Sequence, residues 1–182
     1  MNEAQLVKEC IKGNEQCRTM LYNQYSKVLY GIALRYTSGQ EDAKDVLQEA
    51  FISIFNHLHQ FNGTGSLQAW MSRIVINQAL KLYQVNKKAF PVENYEDYQE
   101  QISDISITDS DKLSYNVLLG FIRELPDGYR MVFNLCEIEG YSYDEVSGIL
   151  HCSNATCRSQ LFKAKNALRK KVVEFTKKES LL

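Results

Sequence analysis

Apolar residues recur at spacings of three and four through most of this chain, and that period dictates helices. Leu21, Tyr25, Val28, Leu29, Ile32 and Tyr36 trace one face of a helix. Thr37-Ser38-Gly39 ends it. Val46, Leu47, Ala50, Phe51, Ile54, Phe55 and Leu58 then mark the apolar stripe of a second helix. Asp42, Asp45, Gln48 and Glu49 lie largely off that stripe, and its acids sit in the first turns, where the helix dipole favours them. Only 2 prolines occur in 182 residues, so long helices are not interrupted. Hydrophobic residues make up 45% of the chain, enough for two small cores and too much for a disordered protein.

Helix boundaries are legible in the capping residues. Ser38 with Glu41, and Ser142 with Glu145, both fit the capping box, in which Ser accepts from an early backbone N–H and Glu reaches back. Asn62-Gly63-Thr64-Gly65 is a break, and Ser66 can cap a helix holding Trp70, Ile74, Leu80 and Tyr83. Leu118, Leu119, Ile122 and Leu125 build a later helix that Pro126 ends. Pro126 also suits the opening of the next, through Tyr129, Val132, Phe133, Cys136 and Ile138 to Gly140. A short helix from Tyr143 to Leu150 follows, then a tight break at His151-Cys152-Ser153. Ser153 can cap a long last helix through Ala155, Leu161, Ala164, Leu168 and Val172.

The expected fold is therefore all-α, with an antiparallel helical bundle in residues 1–86 and a helix-turn-helix domain in residues 113–182. An acidic tether, residues 87–112, joins them; Phe90 to Ser110 shows no sustained period of either kind. Its acids are Glu93, Glu96, Asp97, Glu100, Asp104, Asp109 and Asp111, and its bases stand only at the two ends. The last helix is the reverse, with Arg158, Lys163, Lys165, Arg169, Lys170, Lys171, Lys177 and Lys178 against Glu174. That makes it a candidate phosphate-binding face, although an ordinary solvated face explains the charge as well. An α-helix fits the major groove, and residues near its N-terminus reach base edges, here Arg158, Ser159, Gln160, Phe162 and Lys163.

Several function classes lose support. Net charge is -1, from 21 basic and 22 acidic residues, which is a weak endowment for a free-standing DNA binder. No Gly-rich phosphate loop, H-E-x-x-H or C-x-x-C stands in the chain, so no cofactor, metal site or catalytic residue is expected. The 5 cysteines include His151-flanking Cys152 and nearby Cys157, a weak metal set without a fourth ligand; core packing is the expected use of Cys136 and Cys157. Met1 to Cys10 carries acids and no apolar run, and no stretch approaches the roughly 18 apolar residues of a membrane span. The chain is expected to be cytoplasmic, without stable membrane insertion. An ordinary helix-turn-helix regulator, a nuclease and a helical interaction protein are the competing readings.

Two segments resemble the extracytoplasmic-function class of bacterial RNA polymerase sigma factors. The first is Glu41-Asp42-Ala43-Lys44-Asp45-Val46-Leu47-Gln48-Glu49-Ala50-Phe51, with Trp70-Met71-Ser72-Arg73-Ile74-Val75-Ile76-Asn77 after it. The second runs from Leu125-Pro126 and Tyr129-Arg130 through Glu139-Gly140-Tyr141-Ser142-Tyr143-Asp144-Glu145-Val146 to Ala155-Thr156-Cys157-Arg158-Ser159-Gln160-Leu161. The resemblance implies a sigma domain 2 that docks on the β′ coiled coil of core RNA polymerase and recognises the −10 element. It implies a sigma domain 4 that reads the −35 element of promoter DNA and packs on the β flap. It also implies that the linker enters the RNA channel of the enzyme, and that an anti-sigma factor holds the free protein inactive.

Position by position, Asp45, Gln48 and Glu49 match the core-binding helix, and Asn62, Gly63 and Ser66 belong to the loop that takes an extruded −10 base. The same Asn62–Ser66 stretch also reads as a plain turn. Arg73, Asn77 and Lys81 match positions facing −10 DNA, and Thr156, Arg158, Ser159, Gln160, Phe162 and Lys163 match the −35 reader. Trp70 is either a wedge at the melted junction or the core anchor of its helix, the second being favoured. Three residues depart from the pattern: His151 replaces a turn glycine, Cys157 a valine-like residue and Gln160 an arginine.

Overall fold

The computed structural model describes residues 2–89 and 115–179, so the acidic tether from residue 90 onward lies outside the described residues. Regular structure among the described residues is helical throughout. It forms two compact units, Met1–Tyr83 and Gln84–Leu182.

The first unit contains α1 (Glu3–Ile11), α2 (Glu15–Tyr36), α3 (Gln40–His57), a 3-10 turn (Leu58–Gln60) and most of α4 (Leu67–Ala89). Asparagine caps open the first two helices. Asn2 Oδ1 accepts from Gln5 N–H at 2.9 Å and Asn14 Oδ1 from Cys17 N–H at 3.1 Å, each satisfying an amide the helix cannot. Between them Gly13 takes φ 88°, the left-handed step that lets Gly13 and Asn14 amides close back onto the carbonyls of Cys10 and Glu9. Tyr25 ties α2 to α1, its hydroxyl donating to Glu3 Oε2 at 2.6 Å. Burial first, then that bond, pushes the phenol up to about 12.

The buried seam of α2 is Cys17, Leu21, Tyr25, Leu29, Ala33 and Tyr36. Val28, on the expected stripe, is instead 45% exposed, because the seam runs at four-residue spacing through Leu29 to Ala33 and leaves Val28 on its flank. α3 buries Val46, Leu47, Ala50, Phe51 and Ile54, as its period requires. On α4 the buried residues are Leu67, Met71, Val75, Ile76, Ala79, Leu80 and Tyr83, whereas Trp70 and Ile74 are only half-buried. The true seam is thus rotated by one residue from the Trp70–Ile74 line.

The Ser38–Glu41 capping box does not form. Helix α3 starts at Gln40 with Gly39 as its cap and no side-chain capping bond. Glu41 is therefore one position short of the box and pairs with Lys44 at 2.6 Å. Buried Thr37 makes the corner instead, its hydroxyl donating to the Ala33 carbonyl at 3.0 Å with the Gly39 carbonyl 3.2 Å away.

The second unit comprises α5 (Tyr115–Arg123), α6 (Asp127–Phe133) widening into a π-helical stretch (Asn134–Ile138), α7 (Tyr143–Leu150) and α8 (Asn154–Glu179). Helix α8 packs against α5, α6 and α7. Its buried residues are Cys157, Leu161, Ala164 and Val172. Of the α6 stripe expected from the sequence, Val132 is fully buried, but Tyr129, Phe133 and Cys136 are half-buried and Ile138 is exposed. The buried line is rotated by about one residue from that stripe, so Met131, Asn134 and Leu135 face the core beside Val132.

Arg130 is the unexpected core residue, only 3% exposed. Its Nη1 donates to the carbonyls of Arg123 at 2.9 Å and Leu125 at 2.8 Å, and Nη2 pairs with Asp127. A guanidinium is the side chain that can satisfy several end-of-helix carbonyls at once. It closes the α5 C-terminus where Pro126 prevents the helix from continuing.

His151 closes α7 in the left-handed region, at φ 53° and ψ 51°. Glycine would adopt that geometry without a Cβ penalty. The relief exceeds glycine's extra entropy in the unfolded chain, so His151→Gly is expected to stabilise the second unit by about 1 kcal/mol. Urea unfolding followed by circular dichroism checks this; an unchanged or lowered midpoint contradicts it.

Candidate nucleic-acid interface

Asp45, Gln48 and Glu49 are all exposed on α3, opposite its buried Val46–Ala50–Ile54 seam. Burial of one side of the helix thus fixes which side these residues present. One turn on, the same face carries Ile52, 48% exposed. Ile52 stands three residues after Glu49 and outside the apolar stripe of α3.

The loop before α4 is a preformed Asx-type turn. Asn62 Oδ1 accepts from the Thr64 amide at 3.0 Å and from the Thr64 hydroxyl at 2.6 Å. Gly63 and Gly65 take φ 76° and 89°, so both glycines are required by the backbone. Ser66 Oγ accepts from the Ala69 amide at 3.4 Å at the start of α4. Asn62 through Ser66 are exposed. Behind them Trp70 stands half-buried with its ring 5.8 Å from that of Phe61. Arg73, Asn77 and Lys81 are exposed at four-residue spacing down the same helix.

In the second unit the turn and α8 deliver the other set. Ser153 Oγ accepts from the Thr156 amide at 3.1 Å and lies 2.9 Å from the Thr156 hydroxyl, fixing the first turn of α8. Arg158 and Ser159 are exposed, and the Arg158 guanidinium lies 5.4 Å from the centre of the Tyr143 ring on α7. That cation–π contact pre-orients a long side chain at low cost. Phe162 is 50% exposed, an apolar residue held out in water beside half-buried Lys163. Gln160 stands apart from this group. Its amide atoms lie 3.1 and 3.2 Å from where a Cβ on Gly128 would be, so it rests over the α6 backbone.

The basic character of α8 is partly neutralised. Lys165 pairs with Glu137 at 2.8 Å, and Lys171 pairs with Glu124. The cations therefore do not form one uninterrupted phosphate-binding stripe. No group of His, Cys, Asp and Glu suited to a metal ion occurs among the described residues. Among them, too, no helix is long and apolar enough to cross a membrane.

The α7 capping box is complete. Ser142 N–H and hydroxyl both donate to Glu145 Oε2 at 2.8 Å, while the Glu145 amide donates to Ser142 Oγ at 3.3 Å. The backbone bond first, then the hydroxyl, holds the Glu145 carboxyl below its ordinary range. A carboxyl with a lowered folded-state pKa stabilises above its unfolded value and loses that contribution as pH falls through the lowered one. Acidification below the ordinary carboxylate range is thus expected to lower the unfolding midpoint less in Glu145→Gln than in the parent. Parallel midpoint-against-pH curves would overturn that assignment.

The sigma-70 region 2 family model matches residues 21–89, and the sigma-70 region 4 model matches residues 115–168. The chain is 31% identical over 179 residues to the ECF RNA polymerase sigma-E factor of Escherichia coli, covering 92% of each chain. It is 26% identical over 183 residues to the ECF RNA polymerase sigma-E factor of Haemophilus influenzae, covering 94% of this chain and 96% of that one. Among solved structures it is similar to CnrH in complex with the cytosolic domain of CnrY, at 20% identity and TM-score 0.48, over 93% of this chain and 96% of that one. It is also similar to the sigma factor RpoE in complex with the anti-sigma factor NepR from Bartonella quintana, at 18% identity and TM-score 0.49, over 85% and 95%.

Proposed function

This chain belongs to the extracytoplasmic-function class of RNA polymerase sigma factors, an alternative initiation factor and not an enzyme, and we propose how its residues divide that work. Residues 1–86 bind core polymerase and the −10 element, residues 87–112 form the connecting linker, and residues 113–182 read the −35 element. The observation that carries the reading is the presence of both sigma regions, in order, in one chain.

Asp45, Gln48 and Glu49 dock on the β′ coiled coil. Their exposure on a helix anchored through its opposite side supports this, since a rigid helix surface needs little ordering to bind. Asn62, Gly63 and Ser66 receive a flipped −10 base. Extruding a base costs a few kcal/mol, and the turn already fixed by Asn62 and Thr64 avoids adding loop ordering to that cost. Arg73, Asn77 and Lys81 follow the adjoining DNA.

Thr156, Arg158, Ser159, Phe162 and Lys163 enter the −35 major groove, with the domain packed on the β flap. Arg suits guanine, and an apolar ring suits a thymine methyl group. Gln160 makes a base contact only after its amide leaves Gly128, so it contributes less than Arg158. The protein acts in the cytoplasm and joins the nucleoid while bound to polymerase. An anti-sigma factor keeps the free chain silent.

Replacing Asp45, Gln48 and Glu49 together by Ala is expected to weaken core-polymerase binding at least tenfold, about 1.4 kcal/mol. Helicity should not change, because these side chains are exposed. Replacing Arg158 and Lys163 by Ala should leave core binding intact and remove dependence on the −35 sequence. Fluorescence anisotropy with labelled chain reads the first and competition between promoter variants the second. Core affinity unaltered by the triple change sinks the assignment of that face.

A further inference from the structure

The turn of the helix-turn-helix holds two thiols in contact. Cys152 Sγ lies 3.3 Å from Cys157 Sγ. Cys152 is half-buried and sits between left-handed His151 and the α8 cap Ser153. Cys157 is fully buried on the core side of α8. We propose that Cys152 and Cys157 are a redox modification site, which a peroxide converts to a disulfide that ties the turn to the recognition helix and weakens promoter reading.

The geometry favours this pair. A disulfide needs sulfurs about 2.05 Å apart, so closure requires a movement of roughly 1.3 Å. The turn can supply it, since Cys152 has left α7 and has not entered α8. The two thiols differ in their readiness to react. Burial first, and then the neighbouring Cys152 thiol, pushes the Cys157 thiol up to about 12, which keeps it protonated. Cys152 is the more accessible sulfur and meets the oxidant.

The chemistry balances with hydrogen peroxide as the named oxidant. The Cys152 sulfur attacks one peroxide oxygen; the O–O bond breaks, a sulfenic acid forms and the other oxygen leaves as water. The Cys157 sulfur then attacks the sulfenic sulfur. The S–S bond forms, the S–O bond breaks, and the departing hydroxide takes the Cys157 proton as a second water. Two thiols lose two electrons and one peroxide gains them. Drawing Cys152 inward pulls on its neighbour Ser153, whose hydroxyl caps the Thr156 amide at 3.1 Å. The first turn of α8, with Thr156, Arg158 and Ser159, is thereby displaced. This consequence for DNA rests on the −35 role proposed above; the formation of the bond does not.

The test must separate Cys136, which acts electrostatically on the Cys157 thiol and shares the tryptic peptide 131–158. The full chain carrying Cys136→Ser is treated with one equivalent of hydrogen peroxide, freed of oxidant, alkylated and digested. The expected result is an unalkylated peptide lighter by about 2 Da, the two hydrogens lost in the bond. Cys152→Ser and Cys157→Val, in the same background, should lose it; valine keeps the core filled. In run-off transcription with core polymerase, the oxidised Cys136→Ser chain should give several-fold less transcript, restored by dithiothreitol, while the Cys152→Ser chain is indifferent to peroxide. Absence of the lighter peptide overturns the site. Its presence with undiminished transcript overturns the switch. Failure of the reduced chain to initiate strikes the sigma assignment instead, and leaves the mass result standing.

Discussion

Each helix in this protein is oriented about its own axis by a seam of buried apolar side chains, and every proposed contact face on a helix is the complement of such a seam. Ala43, Val46, Ala50 and Ile54 are in the core, so Asp45, Gln48 and Glu49 have nowhere to point but outward. Cys157, Leu161 and Ala164 are in the core, so Arg158, Ser159 and Phe162 are presented to solvent. The principle is elementary. A helix satisfies its own backbone, so hydrophobic burial is what selects its rotation. A one-residue error in the seam turns a helix by about 100°, far enough to hide a binding residue. Small residues stand in the seams too, with Ala33, Ala50 and Ala164 fully buried.

This explains what was legible in the sequence. Long amphipathic periods and capping residues made the all-α class legible, and with it a short helix at about Tyr143–Leu150, where the structure has α7. The Asn62-Gly63-Thr64-Gly65 break was legible, whereas the left-handed backbone at both of its glycines came from the structure. Periodicity was less able to distinguish seam from flank. Val28 and Ile138 look apolar in one dimension, yet both stand largely outside the core, 45% and 40% exposed. The Ser38–Glu41 box failed because Gly39 took the cap position, a choice that rests on Thr37 packing into the corner. Arg130 was visible only as part of a family motif. Its burial depends on carbonyls left by Pro126 at the end of another helix, which no local pattern reports.

The interface residues divide in the same way. Their exposure on α3, α4 and α8 followed from the period, whereas their local engagements did not. Gln160 rests over Gly128, and Arg158 leans on Tyr143. The Cys152–Cys157 contact arises because His151 turns the chain back, an event that spacing alone does not announce. The ion pairs of Lys165 and Lys171 likewise reduce the cationic surface that counting lysines implied. With a net charge of -1, this chain has little surplus of cations with which to attract phosphate. A reader so endowed depends on being held at the promoter by a larger partner, which raises its effective concentration at the base edges.

Run-off transcription on genomic fragments with purified core enzyme reads that dependence on polymerase. The expected result is a set of discrete transcripts that appear only when this chain is added, from fragments that the isolated chain binds weakly in gel shift. Tight, selective binding of those fragments by the chain alone, with no transcript from any of them, contradicts it.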